Sequence, residues 1–154
     1  MTSDGSIFVP DALSSALELV RCRSASVRVL HPPASFSVMI PAGAPAIHIV
    51  DAGRLRLSFE DGGDHVLERG DIAIAPLGLA CRVSAGAAAP PSPLDRFAVR
   101  AADIDKSPDA PPAPICWVLG ELAFEDLMGR RLLGVLPELI VMRAQAGRLP
   151  WIDA

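Results

Sequence analysis

The chain has 154 residues, of which 51% are hydrophobic and 21% charged, and its formal net charge is −4. That length suits one domain, the apolar share excludes a disordered chain, and the acidic balance excludes nucleic-acid binding by bulk charge. No apolar run reaches the roughly 18 residues that would span a membrane, and Met1 to Ser6 lack the basic start of a secretory leader.

Three cysteines, Cys22, Cys81 and Cys116, are too few for a disulfide scaffold and read as reduced thiols, so a cytoplasmic protein is expected. Fifteen prolines and twelve glycines imply many turns and few long helices.

The first element is a helix over about 10–21. Leu13, Ala16, Leu17 and Val20 form one apolar stripe, with Pro10 and Asp11 at its start. From Ser26 the period becomes two. Val27 and Val29 flank Arg28, and Phe36, Val38 and Ile40 alternate with Ser37 and Met39. A strand over Ala46 to Asp51 follows, then a turn at Gly53.

Arg54 to Glu60 alternates throughout, with Leu55, Leu57 and Phe59 on one face and Arg54, Arg56 and Glu60 on the other. Asp61 to Asp64 is a hairpin turn, and Val66 to Glu68 returns. Ile72 to Ala75 and Ala80 to Ser84 are two further strands, separated by Pro76 and Gly78. Residues 85–114, rich in Ala, Pro, Ser and Asp, read as a surface excursion with one short strand at Phe97 to Arg100. Ile115 to Leu122 resumes β structure. Helical spacing returns at about 125–145, where Leu132, Leu133 and Leu136 precede Pro137 and a second helix runs from Glu138 to Ala144.

Many short strands with Gly, Pro and Asp turns predict a mainly β antiparallel barrel or sandwich over about 26–123, with helices before and after it. Gly70-Asp71-Ile72-Ala73-Ile74-Ala75-Pro76-Leu77-Gly78-Leu79-Ala80-Cys81 resembles the second cupin motif, with Cys81 in the histidine position. The first cupin motif is half present. Gly53 fits its last glycine, but Ala46 stands where a metal-binding glutamate would lie, and the paired histidines are missing near Pro41 to Gly43.

Across nearly its whole length the chain is similar to the cupin-type N-terminal domain of AraC-family transcription regulators. The features that carry this are the opening helix, Ile47-His48-Ile49-Val50 before Gly53, the Gly70 to Gly78 turn, Cys116-Trp117 after a Pro-rich loop, and Leu132-Leu133-Gly134-Val135-Leu136-Pro137. The resemblance implies one domain over 1–154, a cupin double-stranded β-helix barrel with its helices packed outside. It also implies a non-enzymatic sensory and dimerisation role. A homodimer would form through Leu132, Leu133, Leu136, Leu139 and Ile140, and an unidentified small-molecule effector would bind. The family's DNA-reading domain would follow the present C-terminus.

His48, Cys81 and Cys116 are the candidate metal ligands. One imidazole and two thiolates suit zinc or another divalent metal, with a fourth position left for water or a small ligand. The competing reading makes both cysteines small buried hydrophobes and His48 a core histidine. His31 and His65 read as surface residues, Arg54, Arg56 and Arg82 as solvated charges, and Trp117 as a core aromatic. Two other functions remain to be weighed: a stand-alone metal-dependent cupin enzyme, either an isomerase or a dioxygenase, and a dimerisation module without a ligand.

Overall fold

The computed structural model describes residues 22–61, 63–99, 112–124 and 131–144. The period-two stretches become strands: β1 (Cys22–Leu30), β2 (Phe36–Ile40), β3 (Ala46–Ala52), β4 (Arg54–Phe59), β5 (Asp64–Glu68), β6 (Ile72–Ala75), β7 (Cys81–Ala85), β8 (Cys116–Phe124) and β9 (Ile140–Met142). They form two antiparallel sheets, one of five strands in the order β1-β8-β3-β6-β9 and one of four in the order β2-β7-β4-β5. The chain crosses repeatedly between the sheets, as expected of a cupin barrel.

Alternation sets what faces inward. Ala46, His48 and Val50 on β3 are buried, as are Leu55 and Leu57 on β4 and Trp117 and Leu119 on β8, while Arg54 and Arg56 point to water. The inward residues of both sheets, including Leu30, Val38, Leu67 and Val83, join in one hydrophobic core. Burial of such side chains is the main driving force for closing the two sheets.

Aromatic rings fill the space between the sheets. Phe97 meets Phe36 edge-on at 5.8 Å, Phe36 lies 6.3 Å from Trp117, and Trp117 stacks on His48 at 5.8 Å. The interior is therefore packed with protein side chains.

Two expectations change. The proposed second C-terminal helix, Glu138 to Ala144, is replaced by β9, whose Ile140 and Met142 pair with Ile74 and Ile72 on β6. The reason is that β6 would otherwise present an unpaired backbone edge, and Ile140-Val141 is β-branched and suits a strand. Residues 131–133 do form a helical turn, but the rest of the expected helices, about 10–21 and 125–130, lies outside the described residues.

The Pro-rich excursion is anchored over its first half. Leu94–Phe97 is a 3-10 turn, Ala98 bridges Leu30, and Val99 N–H donates to the Val29 carbonyl at 2.8 Å. The strand expected at Phe97 to Arg100 is thus a single bridge, and Arg100 itself lies outside the described residues.

The Gly70-Asp71 turn does more than reverse the chain. Asp71 is buried, and its carboxylate accepts hydrogen bonds from the Glu68 N–H at 2.8 Å, the Ala144 N–H at 2.8 Å and Arg143 Nη1 at 2.9 Å. Burial alone would raise its pKa, but these donors and the Arg143 charge hold the carboxyl below its ordinary value. Arg143 also donates to the Val66 carbonyl. One carboxylate therefore clasps the three-residue strand β9 onto the barrel.

Candidate functional site

His48 and Cys81 both lie buried on inward positions, one from each sheet. Cys116 does not join them. On β8 the inward set is Trp117 and Leu119, continued from Ile115, so Cys116 falls on the outward set and is half-buried. It pairs with Ala52 beside an irregularity in β3. Burial pushes its thiol pKa up, and the adjacent Asp51 carboxylate pushes it further.

Among the described residues, no three His, Cys, Asp or Glu side chains come together as a group that could hold a metal ion. The expected His48–Cys81–Cys116 zinc site is thus not assembled, because alternation along β8 turns one ligand away. Burial pushes the Cys81 thiol up to about 11, so in the metal-free protein it is protonated at neutral pH.

His48 has a different partner. Trp117 Nε1–H donates to His48 Nδ1 at 3.2 Å in the stacked pair. An acceptor at Nδ1 fixes the neutral tautomer with its proton on Nε2, and Nε2 is buried without a hydrogen-bond partner among the described residues. Burial lowers the His48 pKa from 6.5 to about 4, so the ring is uncharged at neutral pH. His48 and Trp117 act as a polar fastening between neighbouring strands inside the core.

Two of the cavities among the described residues are of interest. One, of about 560 Å³, is lined by Pro45, Pro76, Leu77, Leu122 and Leu133 together with small neighbours, and no charged side chain is among its described lining residues. The other, of about 360 Å³, lies at the rim where the β3–β4 turn meets the start of β8; Gly53, Arg54, Arg56, Ser84, Gly86 and Ile115 are among its lining residues. Its frame depends on two glycines at positive φ. A Cβ on Gly53 (φ 80°) would strike the Pro114 carbonyl, and one on Gly86 (φ 64°) would strike the Ala34 carbonyl and Ser35.

Recognition of a small molecule needs an apolar wall plus a few placed polar groups, and the rim cavity has both. Sequence reasoning placed Arg54 and Arg56 correctly on the outer face but gave no sign of this cavity, because it arises between segments far apart in the chain.

The five side chains expected to form one dimer stripe separate. Leu132 is exposed, Leu133 lines the larger cavity, Leu136 is half-buried, Leu139 packs against the core, and Ile140 belongs to β9. Val135, at 81% exposure, is the most exposed large apolar residue in the segment. No helix among the described residues is long and apolar enough to cross a membrane.

A family profile described as cupin matches residues 11–154. Comparison with curated proteins finds no match. Among solved structures, the protein YhaK from Escherichia coli aligns with a TM-score of 0.45 at 11% identity, covering 83% of this chain and 44% of that one. An apo form of a ToxT variant from Vibrio cholerae aligns with a TM-score of 0.43 at 9% identity, covering 84% of this chain and 44% of that one. The chain spans less than half the length of either.

Proposed function

Because the chain belongs to the cupin family, in the branch associated with AraC-type regulators, we propose that it is the effector-sensing and dimerisation domain of such a transcription regulator, working in the cytoplasm. DNA would be read by a C-terminal domain beyond this chain. The domain itself is not an enzyme. Its task is to bind a small molecule in one conformation better than in another, which is the only way a ligand shifts an equilibrium.

The rim cavity carries this reading. The interior is filled by the His48–Trp117 pair and the surrounding core, and His48 is uncharged. A packed interior with an uncharged imidazole is what a core needs, and this supports the sensing reading over the stand-alone cupin enzyme, which would use an open metal position or a titrating group. The rim cavity by contrast joins arginine, hydroxyl and apolar groups.

Strand β9, held by Asp71 at the edge of the five-stranded sheet, would be the link from the barrel towards the C-terminal end of the chain. The dimer contact would use Leu132 and Val135, the exposed apolar side chains that precede that link in the chain. Sedimentation of the purified chain, alone and with small-molecule panels, tests this reading. It predicts a dimer that a Leu132→Asp, Val135→Asp double substitution converts to monomer, and ligand-induced stabilisation without turnover. A monomer that converts its ligand would contradict it.

A further inference from the structure

We propose that the rim cavity binds a small organic carboxylate, with Arg56 and Ser84 as the pair that grips it. This rests on the effector-site reading above and gives that site its ligand class. Strand register makes Arg56 on β4 the direct partner of Ser84 on β7 and of Val66 on β5. Side chains opposite one another on one face of a sheet lie about 5 Å apart. A hydroxyl, a guanidinium and an isopropyl group therefore form one row across three strands, and all three residues line the cavity.

Charge singles out Arg56 within the row. Its neighbour Arg54 is already matched by Glu68 at 2.8 Å. Arg56 makes no ion pair with a described residue, and the described residues lining the cavity include no acidic one. An arginine beside a cavity whose described lining holds no counter-charge favours an anion there. The planar guanidinium presents two parallel N–H groups that match a carboxylate, and the Ser84 hydroxyl adds a third donor.

The remaining walls choose among anions. Ala34, Val66 and Pro114 give the cavity an apolar side, which an inorganic phosphate would leave unused and a hydrocarbon or aromatic body would cover. A volume of about 360 Å³ is at the small end of ligand pockets, so an acid with a single ring or a short branched chain fits, and a nucleotide does not.

Calorimetric titration of the whole chain with benzoate and phenylacetate, and with benzamide as the uncharged isostere, tests the assignment. The proteins compared are the unaltered chain, Arg56→Met, Ser84→Ala and Arg82→Met, the last on the same sheet but outside this cavity. The expected result is binding of at least one acid, weakened about tenfold or more by Arg56→Met and about threefold by Ser84→Ala, with Arg82→Met unchanged and benzamide at least about tenfold weaker. Circular dichroism confirms that each variant is folded, as expected for exposed or half-buried positions. If acid and amide bind alike and Arg56→Met changes neither, the carboxylate assignment is overturned and the rim effector site survives. If neither acid nor amide binds, both are overturned.

Discussion

The centre of the barrel and its rim are built from opposite materials. At the centre, His48 and Trp117 are fully buried, stacked and joined by one hydrogen bond, with an uncharged imidazole. At the rim, Arg54 and Arg56 are exposed beside Ser84, and the space is held by backbone contacts at Gly53 and Gly86. The centre has the chemistry of a core and the rim that of a binding site. Under the proposed function, the barrel's interior would serve stability while recognition sits at its edge.

Changes at the two places should differ in kind, and the largest effect is expected at the centre. Trp117→Ala removes the largest buried side chain among the described residues and orphans His48 Nδ1, and should cost about 4 kcal/mol in a urea unfolding titration. A loss under about 1 kcal/mol would mean that the ring does not support the core.

Acid should act next, and also through the centre. The His48 pKa is lowered from 6.5 in the unfolded chain to about 4 in the folded one. As pH falls from 6.5 towards 4 the unfolded chain takes up a proton that the folded one refuses, so about 3 kcal/mol of stability should be lost over that window. Above pH 6.5 this contribution is constant. Unfolding titrations across the window should show the loss, and His48→Leu should flatten it.

The Asp71 clasp comes third. Asp71→Asn keeps the shape but removes the charge that Arg143 and two backbone N–H groups face, and should cost about 2 kcal/mol at pH 7. Because the folded carboxyl titrates below its ordinary value of 3.8, its contribution is present above that value and fades as pH falls through the folded pKa. The variant and the unaltered protein should therefore converge in strong acid. Hydrogen exchange at Val141 and Ala144 should quicken in the variant, since β9 has only three residues.

The smallest effect on stability belongs to the rim. Arg56→Met should change unfolding free energy by less than about 0.5 kcal/mol while weakening carboxylate binding. A large destabilisation would assign Arg56 a structural role instead.

Much of the barrel was legible because alternation is a strong local signal. Arg54 to Phe59 and Phe36 to Ile40 could be faced correctly from their residues alone, and the Gly70 to Gly78 spacing located two turns around β6. The inward placement of His48 and Cys81 followed from their positions in the cupin motifs rather than from alternation. Cys116 was misplaced although its parity could be read: Ile115, Trp117 and Leu119 are the large apolar set, which leaves Cys116 on the other face. Ile140–Met142 was harder. Three residues show no period of their own, and Leu132, Leu133, Leu136, Leu139 and Ile140 fit a helical stripe, so only the free edge of β6 decided for a strand. The rim cavity was invisible in sequence, because it requires Gly53 to meet Pro114 and Gly86 to meet Ala34 in space.

The most direct test of where this barrel does its work is a heteronuclear NMR titration of the unaltered chain with a carboxylate that it binds. Shifts concentrated at the amides of Gly53, Ser84 and Gly86, with the Trp117 indole N–H unmoved, are the predicted result. Shifts centred on the Trp117 indole and the His48 ring, with the rim amides silent, would place recognition inside the barrel and contradict the assignment.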